Sequence, residues 1–252
     1  MSAIERAIYI NRVVEMPLLL GNKKSRSVRF ILLKRRLWYL NFGIYSAFKR
    51  VFGLLIALIL LVLLSPLFLI VSILIKREDG GKILFKQLRT GRDGKEFYIY
   101  KFRTMVENND IHDKSCADKH TKIGKFLRNT SIDELPQLFN IVKGEMAFIG
   151  PRPWITDYYE AMNARERART IVRPGITGLA QANGRNGITI FEKINYDLEY
   201  VKGYSILTDL RVIFESIKAV ISKADADAGK NIIHNELKEL RVKNALRAIT
   251  LL

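Results

Sequence analysis

The chain is poor in the residues that build closed or metal-bound scaffolds. It has a single cysteine, Cys116. That excludes an internal disulfide framework and fits a reducing compartment. It has three histidines, His112, His120 and His234, with no paired metal-ligand spacing, so the sequence offers no zinc site. No internal repeat or low-complexity tract is visible. Acidic residues are also scarce, 25 against 42 Lys and Arg in 252 residues, for a formal charge of +17. Residues 1–50 alone carry eleven Lys/Arg and two Glu. A basic chain binds nucleic acid, anionic lipid or an anionic substrate.

The run after that basic segment favours lipid over nucleic acid. Residues 51–75 hold no charge at all. As one straight helix they would be roughly 37 Å long, enough to cross a bilayer, and they lie too deep in the chain for a cleaved signal peptide. Two details complicate a simple span. Ser65-Pro66 interrupts the run, and an interior proline removes a helix hydrogen bond that the serine hydroxyl can partly replace. Both flanks are basic, Lys49-Arg50 before and Lys76-Arg77 after, whereas a span normally shows Lys/Arg asymmetry. The residues leave two readings open: a kinked transmembrane helix, or a re-entrant one that enters and leaves by one face. Residues 23–45 mix Arg and Lys with Trp38, Tyr39 and Phe42, a composition suited to headgroups.

The rest reads as a small α+β domain, mostly helical. Residues 82–87 and 95–103 are rich in β-branched and aromatic side chains around Gly91-Arg92-Asp93-Gly94, which predicts a β-hairpin. Lys101-Phe102-Arg103 would leave it with two cations. Residues 106–121 are polar and unpatterned, a loop. Ser131-x-x-Glu134 matches a capping box, while Pro136 suits a first helical position; either boundary puts Asp133 and Glu134 at a helix N-terminus, where the dipole favours anions. Leu135, Leu138, Phe139 and Val142 predict one apolar face, and Gly144 a stop. In Gly150-Pro151-Arg152-Pro153 the prolines fix the backbone and present Arg152 with little entropy left to lose. Two further Gly/Arg loops, Arg173 to Gly178 and Asn183 to Gly187, are candidate anion nests. Residues 191–220 read as one amphipathic helix with a Tyr196, Tyr200, Tyr204 stripe. Residues 224–230 read as a linker, and 232–252 as a final amphipathic helix.

Taken together, five motifs in one order resemble the bacterial sugar transferases of the monotopic phosphoglycosyl transferase type. They are Ser65-Pro66 in its apolar run, Lys101-Phe102-Arg103-Thr104-Met105, Asp133-Glu134-Leu135-Pro136-Gln137-Leu138, Gly150-Pro151-Arg152-Pro153, and the segment from Arg173-Pro174-Gly175 to Gln181. The resemblance covers about Phe48 to Val220. Residues 1–47 lie outside the common core and read from their composition as a basic interfacial extension, while the resemblance implies a re-entrant membrane helix over 48–76 broken at Ser65 and Pro66 and a catalytic domain over 77–222. That domain would carry a β-hairpin and amphipathic interfacial helices on the cytoplasmic face of the bacterial inner membrane. Residues 223–252 would be a C-terminal helical extension. The implied substrates are a UDP-sugar and polyprenyl phosphate, with UMP released. Asp133 would attack phosphorus, and Glu134 would bind metal or take a proton. Mg²⁺ would sit on Asp133 and Glu134, and Arg128 and Arg152 would hold phosphate oxygens. Arg103, Arg173 and Lys101 are further candidates for that task. The terminal extensions leave room for a homodimer. A non-enzymatic membrane-anchored binder, or a hydrolase using the two carboxylates, are the competing readings.

Overall fold

The computed structural model describes the backbone of residues 25–106, 120–184, 187–221 and 233–250, and the side chains of 40–106, 120–184, 187–219 and 236–245. Most of the predicted loop at 106–121, with Cys116 and His112, lies outside these residues. So do the linker at 224–230, Arg185 and Asn186, and the side chains of most of the basic 23–45 segment.

The uncharged run is divided between two helices. α1 (Ser25–Leu63) ends at Leu64, and α2 (Ser65–Asp79) begins with Pro66 in its first turn. Pro66 cannot donate to Val62, and the Ser65 hydroxyl does so instead at 2.8 Å. Leu40–Leu63 is the stretch of the described residues long and apolar enough to cross a membrane. α1 runs unbroken through position 47, so the expected boundary between 1–47 and 48–76 is not a structural break. α2 ends at Gly80, whose φ of 72° is the left-handed cap that glycine adopts without strain.

The predicted hairpin is present: β1 (Leu84–Thr90) pairs antiparallel with β2 (Glu96–Phe102). Alternation places Phe97 and Ile99 inward, against Ala57 of α1. α3 (Lys122–Asn129) follows, capped by Thr121. Its Gly124 rests directly on Thr104; a Cβ there would lie 2.1 Å from the Thr104 carbonyl oxygen. A 3₁₀ turn (Ile132–Glu134) then leads into α4 (Gln137–Lys143). β3 (Ala147–Ile149) pairs in parallel with β4 (Gly175–Thr177), a ladder where the sequence pattern suggests only loops. Between them lie α5 (Thr156–Ala161) and a second 3₁₀ turn (Glu166–Thr170).

After α6 (Leu179–Ala182), the predicted helix over 191–220 is two helices, α7 (Ile190–Lys202) and α8 (Ile206–Ile221). Gly203 ends the first, and the Ser205 side chain accepts from Thr208 N to start the second. Of the tyrosine stripe, Tyr200 is fully buried and packs with Tyr204. α9 (Ile233–Thr250) belongs to the same core: Leu240 is completely buried in it, and Asn244 bonds Asn163, Ala161 and Glu166.

Candidate active site

The dyad sits in the 3₁₀ turn before α4, and three local features hold that turn in place. Ser131 adopts a left-handed φ of 58° and makes no side-chain cap, so the capping box does not form. Pro136 occupies the N-cap of α4. Asn140, fully buried on α4, accepts from Tyr100 N at 3.1 Å and donates to Tyr98 O at 2.7 Å, which fixes α4 against β2. The buried face of α4 is Gln137, Leu138, Asn140 and Ile141. Phe139, expected in that face, is instead exposed and meets Phe68 of α2. One residue of drift in a seven-residue helix is enough to exchange the two.

With the cap absent, Glu134 is free to turn towards the cations. Its Oε1 accepts from Lys101 Nζ at 2.6 Å and from Arg152 Nη2 at 2.7 Å. Asp133 is buried, and its ion pair is longer, 3.6 Å from Oδ2 to Lys101 Nζ. Two adjacent carboxylates therefore have opposite environments. Burial pushes the Asp133 carboxyl up, and the Glu134 charge adds to the rise against the pull of Lys101. Burial pushes on Glu134 as well, but Arg152 and Lys101 outweigh it and hold the group at about 2. A helix N-terminus favours the ionised form of Asp133, while burial, the largest influence on the group, opposes it.

The structure joins some of the candidate residues and separates others. Lys101, Arg152, Asp133 and Glu134 form one connected cluster. Arg128, at the end of α3, adds positive charge beside Asp133 and bonds His120 Nε2 at 3.1 Å. Since arginine only donates, that imidazole carries its proton on Nδ1 and donates to Thr104 O at 3.2 Å.

Arg103 lies elsewhere. It is buried, pairs with Asp79 and donates to Lys82 O, tying β2 to the end of α2. Arg173 is also remote. Its Nε donates to Gly144 O at 2.9 Å, beside Arg50, which donates to Ile141 O and Val142 O. Both arginines thus neutralise the C-terminal carbonyls of α4, the end opposite the dyad. The glycines after Arg173 allow close backbone packing. A Cβ on Gly175 would lie 2.1 Å from Gly150 N, and one on Gly178 would lie 2.2 Å from Gly150 O.

Sequence reasoning missed the support beneath Arg152. Arg169, in the second 3₁₀ turn, donates from Nη2 to Arg152 O at 2.6 Å and from Nε to Asp197 Oδ2 at 2.8 Å. Its guanidinium lies 4.0 Å from the Trp154 ring centroid. Arg169 and Asp197 are both buried. No spacing rule in the sequence links Arg169 to Arg152.

An acidic pair is thus set among Lys101, Arg152 and Arg128, on a domain packed against a broken apolar helix that is long enough, in its first arm, to cross a membrane. A family model described as bacterial sugar transferase matches residues 44–223. The chain belongs to the bacterial sugar transferase family and is, by that membership, an enzyme of the transferase class. It is 40% identical over 191 residues to the exopolysaccharide production protein ExoY of Sinorhizobium fredii, covering 68% of this chain and 84% of that protein. It is 40% identical over 195 residues to the UDP-glucose:undecaprenyl-phosphate glucose-1-phosphate transferase of Klebsiella pneumoniae. That match takes in 72% of this chain but only 42% of the Klebsiella protein. A Bacillus subtilis sugar transferase, EpsL, is 39% identical over 175 residues, covering 69% of this chain and 87% of that protein.

Proposed function

We propose that the chain transfers a sugar 1-phosphate from a UDP-sugar to polyprenyl phosphate, such as undecaprenyl phosphate, in the first membrane step of a bacterial glycan pathway. Relatives named for undecaprenyl phosphate and for UDP-glucose or UDP-N-acetylgalactosamine support this substrate pair. The observation that carries the mechanism is the asymmetry of the dyad. Asp133 is buried, loosely paired and raised in pKa, which makes its carboxylate a stronger nucleophile. An Asp133 oxygen attacks the sugar-bearing phosphorus, the bond to the nucleotide oxygen breaks, and UMP leaves with the electron pair. A polyprenyl phosphate oxygen then attacks the same phosphorus and frees the aspartate, giving polyprenyl-diphosphate sugar. Arg152 and Arg128 stabilise the charge that moves during both steps.

Glu134, held at about 2, is too weak a base to take a proton at neutral pH, so its role in this scheme is electrostatic. Among the described residues no group of three or more His, Cys, Asp or Glu converges on a metal position. Two carboxylates still fit Mg²⁺, which is typically held by one or two carboxylates plus substrate phosphates. Asp133 and Glu134 would hold it. When bound, the ion would neutralise diphosphate charge.

The membrane arrangement we infer is re-entrant, with the domain on the cytoplasmic face of the inner membrane. Both arms of the broken helix pack on that domain: Ala57 of α1 against Phe97 and Leu138, and Val71 and Ile75 of α2 against Phe102 and Leu127. Leu207 and Phe214 of α8, each more than 70% exposed, offer an apolar face to the lipid surface. Lys and Arg near that surface would attract anionic lipids.

A hydrolase using both carboxylates is disfavoured, because neighbours sharing one lysine cannot flank a sugar ring from opposite sides. The test is UMP release from a panel of UDP-sugars. The proposal expects sustained turnover that needs both Mg²⁺ and polyprenyl phosphate. Equal turnover without the lipid would show a hydrolase instead.

A further inference from the structure

Arg89 is a half-buried cation near Glu134 that makes no ion pair with a carboxylate among the described residues. The hairpin register sets Phe85 opposite Lys101, Gln87 opposite Ile99 and Arg89 opposite Phe97. Residues directly opposite, and those two apart on one strand, share a face of the sheet. Arg89 and Lys101 therefore stand on the same face, the one that packs towards α4 through Phe97 and Ile99. Beyond Arg89 the strand bonds to the segment that carries Arg152: Thr90 N donates to Trp154 O at 2.9 Å. Arg89 thus sits where the hairpin face meets the arginine loop.

Its contacts do not balance its charge. Among the described residues the guanidinium bonds the Gln87 side chain, and its Nε is buried without a partner. Glu134 attracts it from beyond ion-pair distance, but Glu134 Oε1 is already shared by Lys101 and Arg152. Burial, followed by the nearby Arg152 charge, brings the Arg89 guanidinium down to about 10. A desolvated cation beside another cation is unfavourable unless an anion joins it. Among the described residues, the carboxylates that pair with or attract Lys101, Arg128, Arg152 and Arg89 are Asp133 and Glu134, an excess of positive charge suited to a diphosphate.

We propose that Arg89 binds the nucleotide-side phosphate of the donor diphosphate, the phosphate that leaves with UMP. The proposal rests on the reading of the donor as a UDP-sugar. Lys101 marks the Asp133 end of the site, where the sugar-bearing phosphorus is attacked. Arg89 lies four residues along β1 from Phe85, the partner of Lys101, roughly 13 Å at about 3.3 Å per residue. The two long side chains therefore approach a bound diphosphate from opposite ends, and Arg89 takes the nucleotide end.

The experiment uses the full chain in detergent, with UDP and UMP in the presence of Mg²⁺ as probes. Arg89→Met keeps the unbranched stem as far as the Nε position and removes the charged guanidinium. We expect its unliganded melting temperature to equal or exceed that of the wild type. UDP and UMP should stabilise it less, and its KM for the UDP-sugar and its UMP inhibition constant should each rise about tenfold or more. The KM for polyprenyl phosphate should not move, and Arg89→Lys should recover part of the loss. Unchanged UDP and UMP binding in Arg89→Met would overturn the proposal. So would a fall in unliganded stability with both KM values rising together, which marks a structural arginine. Absence of UDP binding in the wild type would instead overturn the donor reading on which the proposal stands.

Discussion

Arg169 donates to the backbone carbonyl of Arg152 at 2.6 Å while the same guanidinium pairs with buried Asp197. A loop that presents Arg152 to Glu134 is thereby anchored to α7, the helix that carries Asp197. The pair has two separable consequences. Removing one partner strands a buried charge, which typically costs about 3–5 kcal/mol, whereas replacing both by apolar residues is often neutral. Only the intact arginine, however, can hold the Arg152 carbonyl.

Arg169→Ala should therefore lower the melting temperature sharply. The double variant Arg169→Met, Asp197→Leu should regain most of that stability, yet keep a raised KM for the UDP-sugar. Thermal unfolding beside steady-state kinetics separates these effects. A double variant with wild-type donor KM would show that the pair serves stability alone.

Arg152 itself tests the geometry of charge. Its Nη2 meets Glu134 Oε1 at 2.7 Å, and the side chain is 42% exposed. Arg152→Lys keeps the charge but not the planar fork. Turnover should fall at least tenfold while circular dichroism and membrane extraction stay unchanged. Full activity in Arg152→Ala would reduce the loop to a structural element.

Much of this site was legible in the sequence, and the exceptions share a cause. The hairpin followed from its alternation and its Gly-Arg-Asp-Gly turn, the helix break from Ser65-Pro66, and the dyad from its place before Pro136. What the sequence does not show is the partner of a side chain when that partner lies far along the chain. Arg103 pairs with Asp79 and Arg173 caps α4, and neither partnership leaves a local pattern. The glycines at 175 and 178 read as an anion nest because a glycine's capacity for close approach is visible in a sequence, whereas the approaching group, here the Gly150 backbone, is not. Arg89 and Arg169 were overlooked for the same reason: each gains its meaning from a neighbouring strand or turn.

Topology gives a further prediction, drawn from the Ser65 to Val62 bond and the missing Pro66 donor. Cysteines placed at Arg36 and Lys86, in a Cys116→Ser background, should both resist a membrane-impermeant thiol reagent in intact cells and both react after lysis. Replacing Ser65-Pro66 by Ala-Leu restores the N–H and removes the ring clash, so the run should straighten into a span. Labelling should then become asymmetric as activity falls. Asymmetric labelling in the parent protein would mean an ordinary span.

The central claim is that Asp133 carries the sugar phosphate between donor and acceptor. The most direct measurement incubates the full chain with a UDP-sugar radiolabelled in its sugar-side phosphate, with Mg²⁺ and without polyprenyl phosphate, and counts label on the denatured protein. The wild type should carry label, matched by released UMP and discharged when polyprenyl phosphate is added. Asp133→Asn should carry no label and retain less than about a tenth of wild-type turnover. Turnover without labelled protein, or label that persists in Asp133→Asn, would contradict it.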